Sequence, residues 1–238
     1  METEMKERPI LFSGPMVRAL LDGSKTQTRR VVKSRPWTTG EYFASGEYST
    51  DLGYEASRGE FWAGFRHPSI HPDGSACYER CPYGAPGDRL WVRETWRGVV
   101  EINPPGKTTE LGVARYVPDQ QYCRRVEFQA THARDSEPWR PSIHMPRWAS
   151  RITLEVTGVR VERLQSISES DASAEGVESL RNEGEYWKDY LRSTAQCDEL
   201  VCLNARDSFW TLWDRINGDG AWAANPWVWV VEFKRIEA

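Results

Sequence analysis

Apolar residues recur at helical spacing only twice with clear termini. The first run, Met16, Ala19 and Leu20, follows Ser13-Gly14-Pro15 and precedes Gly23. A serine cap, a proline in the first turn and a glycine just past the end predict a short amphipathic helix over these residues. The second, 207-DSFWTLWDRING-218, sets Phe209, Leu212, Trp213 and Ile216 on one stripe and ends in glycine. It predicts a helix packed through that stripe, with Trp210 and Trp213 in the core.

Strand signals are more numerous. Residues 27–33 predict a strand carrying Val31 and Val32 into the core. In 86-PGDRLWVRETW-96 a Pro-Gly-Asp turn feeds an alternating segment, with Leu90, Val92 and Glu94 on one face and Trp91, Arg93 and Thr95 on the other. The stretch 126-VEFQATH-132 alternates as well. The longest signal is 151-RITLEVTGVRVERL-164, where Thr157-Gly158 marks a bulge. The last, 226-PWVWVVEFKRI-236, is apolar on both faces, as an interior strand is.

Between these lie 168-SESDASAEGV-177, a cap-bearing helix, and three polar stretches read as insertions at 34–86, 98–125 and 178–205. Trp37, Phe43, Phe61, Trp62 and Phe65 supply material that can order the first of them. No internal repeat breaks the chain, so residues 1–238 read as a single domain. Helix, strands, helix, helix and strand in that order predict an α+β fold with a small mixed or barrel-like sheet.

Composition narrows the function. A net charge of −4 excludes a protein that wraps long nucleic acid by bulk charge. Five cysteines in a chain of 238 residues do not make a secreted disulfide framework. No apolar run reaches the ~18 residues of a membrane span, and METEMKERPILF has no signal core. A cytoplasmic protein without membrane contact is expected. His71, Cys77, Cys81, Cys123 and His132 contain one C-x-x-x-C pair and no second knuckle. Neither a metal nor a cofactor is expected, and no dinucleotide or Walker loop is present.

Candidate chemistry concentrates in 23-GSKTQTRR-30. Lys25 and Thr28 are three residues apart in a loop leaving a helix, close enough to converge. A buried lysine with a lowered pKa can take the threonine proton, whereas a charged one can bind phosphate or polarise a carbonyl. A solvated basic turn fits the same spacing. Arg29 and Arg30 alternate, so one of them shares the Thr28 face. Around them Arg18, Lys33 and Arg35 make a basic cluster on an acidic chain. Glu94 and Glu175 are the acid/base candidates. Trp37, Trp62 and Trp139 are candidates for stacking on a base.

This loop resembles the G-x-K-x-x-E-x-R signature of ASCH-domain proteins, a PUA-like superfamily associated with RNA. Gly23, Lys25 and Arg30 match, and Thr28 stands where most members have glutamate. The segments around residues 10–30, 86–96, 141–168 and 209–236 are similar to the long bacteriophage and prophage type. The resemblance implies a PUA-like small mixed β-barrel flanked by helices, with RNA, DNA or a modified nucleoside as partner. One branch, the N4-acetylcytidine amidohydrolases, has threonine at the Thr28 position. That likeness implies Thr28 as nucleophile or water-positioning group, Lys25 as proton acceptor and Glu175 as its helper, with Arg30 or backbone N–H groups on the oxyanion. Gly23, Arg29, Arg30, Lys33, Arg93 and Glu94 are the binding residues it implies. Other members imply a ribonuclease, or a non-catalytic phage accessory protein.

Overall fold

Helices and strands follow the apolar periodicity closely where it is long. The computed structural model describes residues 5–33, 49–55, 60–66, 77–100, 115–116, 120–121, 123–133, 138–180, 186–193 and 201–236. Along the chain come β1 (Glu7–Leu11), α1 (Gly14–Asp22) and β2 (Gln27–Val31). Next are β3 (Ser49–Glu55), β4 (Glu60–Arg66), β5 (Cys77–Arg80), β6 (Arg89–Arg93) and β7 (Trp96–Val100). Then follow β8 (Arg115–Tyr116), β9 (Arg125–Phe128), β10 (Thr153–Arg163) and α2 (Glu169–Ala174). Last are β11 (Trp187–Lys188), β12 (Val201–Cys202), α3 (Ala205–Asn217) and β13 (Trp227–Ile236). The fold is mixed α+β, with more strand than helix.

The central sheet has five strands in the order β1-β6-β10-β13-β2. β1 runs parallel to β6, and the other pairs are antiparallel. β13 lies between β10 and β2, which is why Val228, Trp229, Val230 and Val231 are all buried. The register of β10 against β13 slips between Val156 and Gly158, at the expected bulge. A Cβ at Gly158 would sit 2.5 Å from the Glu232 carboxylate, which would have to swing aside to admit a side chain.

Among the described residues this sheet is open, not a closed barrel: β1 and β2 are its two edges. The edges nevertheless approach each other, for Arg30 Nη2 of β2 donates to the Leu11 carbonyl of β1 at 2.6 Å. The α1 segment makes the connection between them.

One face of the sheet is covered by the three-stranded sheet β3-β4-β5. Phe61 meets Trp229 edge-on at 6.3 Å, and Phe65 meets Trp227 at 5.9 Å. The 34–86 stretch is thus more than loop, since Ala63 and Phe65 are completely buried in the core. Likewise 98–125 contributes to a small sheet β8-β7-β9, and 178–205 contributes the β11-β12 pair. The opposite face carries α2 and α3, through Ala172, Phe209, Leu212 and Trp213.

Several local expectations are corrected. Ser13 caps α1 by backbone geometry, with no side-chain hydrogen bond. Val32 is buried, but Val31 is 39% exposed because β2 is an edge strand. Trp210 is 42% exposed and donates Nε1 to Asp214, one position off the buried stripe of α3. Ile216 closes that stripe beyond the sheet and is exposed. The strand at 126–132 stops at Phe128 and becomes a turn.

Candidate functional site

Gly23 ends α1 in the left-handed region at φ 86° and turns the chain so that Lys25 N donates back to the Ala19 carbonyl at 3.0 Å. Far along the chain, Ser168 caps α2 by accepting from Asp171 N at 3.1 Å. Gly176, at φ 78°, lets the chain leave just after Glu175. A Cβ on Gly176 would lie 2.8 Å from both the Ala19 and the Lys25 Cβ atoms. That close approach seats Lys25 opposite Glu175 as an isolated antiparallel bridge, with Thr26 N donating to Ala174 O at 2.9 Å.

The side chains complete the junction. Lys25 Nζ donates to Glu175 Oε2 at 2.9 Å and to the Glu175 carbonyl at 2.6 Å. Both side chains are almost wholly buried, at 2% and 4% exposure. The second Glu175 oxygen accepts from Arg29 Nη1 at 3.1 Å. Arg29 also donates to Glu162 Oε1 at 3.0 and 2.5 Å and reaches Asp171 at 3.3 Å. Arg160 closes the network by pairing with Glu162, Asp171 and Glu232.

Burial pushes the Lys25 ammonium below its ordinary 10.5, with the Glu175 carboxylate opposing the shift. Burial alone would raise Asp171, yet the Gln27 amide with Arg29 and Arg160 holds it below 3.8. A buried lysine whose hold on its proton is weakened, at the edge of a cavity, is an arrangement suited to proton transfer.

Lys25, Thr28, Arg29, Arg30 and Glu175 all line one cavity of about 350 Å³. Its other walls are the β1 end at Leu11 and Phe12 and the α3 stripe from Phe209 to Asn217. The cavity therefore occupies the slot between the two edges of the sheet. Thr28 and Arg30 share one face of β2 and Arg29 takes the other; an edge strand lets both faces border the slot. The Thr28 hydroxyl has no hydrogen-bond partner among the described residues. Register supplies further donors. Phe233 N bonds Thr26 O and Val32 N bonds Trp227 O, so even-numbered residues of β2 bond β13. The N–H groups of Arg29 and Val31 consequently point outward from the free edge.

Not every residue singled out from the sequence comes to this place. Gly23 shapes the turn without lining the cavity. Lys33 is exposed past the end of β2. Arg93 lies over the Trp91 ring at 4.8 Å, away from the slot. Glu94 is 1% exposed and is clasped by Arg151 through bonds of 2.9 and 3.0 Å, while its neighbour Thr95 lines the cavity. Arg30 stands over Phe12 at 5.3 Å with its Leu11 bond. Trp139 faces a second cavity, of about 590 Å³, with Arg18 and His132. Trp62 lines neither cavity, and Trp37 and His71 fall outside the described residues. Among the described residues no group of three His, Cys, Asp or Glu side chains is placed to hold a metal ion. Cys81 is buried, and burial raises its thiol to about 12.

Sequence reasoning missed two parts of the site. Glu162 and Asp171 hold Arg29, yet each reads locally as an ordinary surface acid. The α3 stripe was legible as a buried face, but nothing in its spacing said that it also lines a cavity.

Comparison with family models, curated proteins and solved structures gives no significant match. Among the described residues no helix is long and apolar enough to cross a membrane.

Proposed function

We propose that the slot between β1 and β2 is the active site of an amidohydrolase that removes the acyl group from an N-acylated cytosine base or nucleoside, in a chain of the ASCH, PUA-like kind. The observation that carries the reading is the convergence of Lys25, Thr28 and Glu175 on one cavity, with Lys25 Nζ 2.9 Å from the carboxylate. A volume of about 350 Å³ is in the range of small-molecule pockets and suits a nucleoside.

The chemistry follows from the pairing. Burial weakens the hold of Lys25 on its proton, so the neutral amine that the next step needs is more accessible than in an exposed lysine. The Thr28 hydroxyl adds to the acyl carbon as its proton moves to Lys25. Negative charge builds on the acyl oxygen, where the outward N–H groups of Arg29 and Val31 and the Arg30 guanidinium supply donors. The C–N bond then breaks, and the cytosine nitrogen takes the proton from Lys25. Water, deprotonated by Lys25, adds to the Thr28 ester; the ester C–O bond breaks, Thr28 Oγ takes the proton back from Lys25, and the carboxylic acid leaves.

Acetate release from N4-acetylcytidine tests this. Wild-type protein should turn over, and Lys25→Ala and Thr28→Val should each lose roughly 10²–10⁴-fold. A folded protein that releases no acid from N4-acetylcytidine or longer N4-acyl homologues would refute hydrolysis. The double anchoring of Lys25 by carboxylate and carbonyl favours a second reading, in which the slot binds a base without cutting it. Saturable cytidine binding without turnover would establish that one.

A further inference from the structure

Two cavities lie side by side in this molecule. Beyond the slot, a second one of about 590 Å³ is lined by Arg18, Gln129, His132 and Trp139. Three separate stretches of chain pass from one to the other. Ser13 and Met16 line the slot, while Gly14, Pro15 and Arg18 line its neighbour. Thr95 lines the slot, and its carbonyl accepts at 3.0 Å from the N–H of Gln129 in the neighbour's wall. Ser142 of the slot is three residues from Trp139, at most about 11 Å of extended chain. The first turn of α1 is therefore a ridge between the two.

The second cavity has its own chemistry. Among the described residues no Asp or Glu lines it, although acids outnumber bases in the chain by 35 to 31. Arg18 is exposed there, and among the described residues its one hydrogen bond goes to the Ala130 carbonyl at 3.3 Å. A guanidinium has five N–H groups, so most of its donors are left over. It folds back toward the start of α1, where a Cβ on Gly14 would meet its Nη1 at 3.7 Å. The charge thus stands on the ridge. Ser13 gives α1 no side-chain cap, so the Gly14 N–H adds an open donor at the same place.

Trp139 supplies a flat apolar surface. Its ring is half-buried, with the Arg97 guanidinium 4.0 Å from its centroid and the His132 ring edge-on at 5.5 Å. Arg97 is itself 2% exposed and pairs with Glu127 at 2.7 Å, so the indole rests on a fixed charge and is held before anything binds.

We propose that the second cavity takes the nucleotide next to the base in the slot, so that the substrate is a single-stranded oligonucleotide and not a free nucleoside. The inference rests on the reading of the slot as a base site. The adjoining base stacks on Trp139, and the phosphate that links the two nucleotides crosses the ridge beside Arg18 and the Gly14 N–H. A phosphate alone does not account for an indole in the wall, and an apolar ligand does not account for Arg18. A base inside the slot is unavailable for pairing, so the strand is single.

Calorimetric titration of the full-length protein tests this with product-type ligands, which avoid turnover: cytidine, its 3′- and 5′-monophosphates, and the pentanucleotide UUCUU as RNA and as DNA. The tighter of the two pentanucleotides should bind roughly 10- to 100-fold more strongly than cytidine, and either monophosphate should gain less. Trp139→Leu should weaken the pentanucleotide roughly 5-fold or more, and Trp139→Phe should restore most of that loss. Arg18→Gln, a change at an exposed position, should reduce the slope of log affinity against log salt by about 0.7.

A pentanucleotide no tighter than cytidine, a monophosphate that matches it, or a gain that survives both Trp139→Leu and Arg18→Gln overturns this proposal and leaves hydrolysis of the nucleoside standing. A gain lost in those variants supports it whether or not acid is released from N4-acetylcytidine. If neither cytidine nor the strand binds, this proposal and the reading of the slot fall together.

Discussion

Replacing Glu175 by glutamine keeps the shape of the junction and removes its charge. Two cations then lose a buried partner, Lys25 at 2% and Arg29 at 0% side-chain exposure. They are not equally hurt. Arg29 keeps Glu162 at 2.5 Å and Asp171 at 3.3 Å, whereas Lys25 keeps only the Glu175 carbonyl. Removing one partner of a buried ion pair costs about 3–5 kcal/mol. Lysine can escape by losing its proton, which at pH 7 costs about 5 kcal/mol from its ordinary pKa, so the penalty has a ceiling near that value. Glu175→Gln should therefore lower stability by about 3–5 kcal/mol. Lys25→Met should cost less than half as much, because Glu175 retains Arg29. The double variant should be more stable than Glu175→Gln alone, by about 2 kcal/mol or more.

Urea unfolding at pH 7, followed by tryptophan fluorescence, measures all three. A further sign is available from pH. The folded Lys25 titrates below 10.5, so between its folded and unfolded values the unfolded chain binds more protons and stability rises with pH. That slope should extend to lower pH in Glu175→Gln and vanish in Lys25→Met. A loss under 1 kcal/mol in Glu175→Gln, or a double variant no more stable than that single one, would refute the picture of a charge-coupled junction.

Three other outcomes are expected. Gly176→Ala must hold a Cβ at φ 78° against Ala19 and Lys25, so it should lose about 2 kcal/mol or more and, with Lys25 displaced, its hydrolytic activity; calorimetry and acetate release read the two losses. Phe65→Ala removes a completely buried ring set against Trp227 and should cost about 3–5 kcal/mol in a single unfolding transition, whereas a separate early transition would show β3-β4-β5 to be an independent unit. Asp171 is held below 3.8, so its contribution is present above that pH and lost as pH falls through its lower folded value; Asp171→Asn should flatten that acid limb in pH-dependent denaturation.

Much of the architecture was legible locally. Met16, Ala19 and Leu20 with Gly23 specified α1, the 151–164 alternation specified β10 with its bulge, and the doubly apolar 226–236 run announced an interior strand. Each depends on neighbours within one turn or one pleat, which is the range over which a hydrophobic period carries information. The Lys25 and Thr28 pair was visible for the same reason. Glu175 stood out as an acid/base candidate at a helix end, but its partnership with Lys25 came only through the resemblance, since nothing near it in the chain marks an acid that will meet a lysine 150 residues away.

Tertiary packing decided the rest. It sent Glu94 to Arg151 and Arg93 to Trp91, and not to the slot. It brought Phe61 and Phe65 out of an irregular stretch into the core. It surrounded Arg29 with Glu162, Asp171 and Glu175, because a guanidinium stripped of water must find carboxylates wherever the fold places them. The sequence alone set which faces are apolar and where a lysine and a threonine stand together. Only the near meeting of β1 and β2 made a cavity there, since an edge-to-edge gap comes from the curl of the whole sheet and leaves no local trace in the chain.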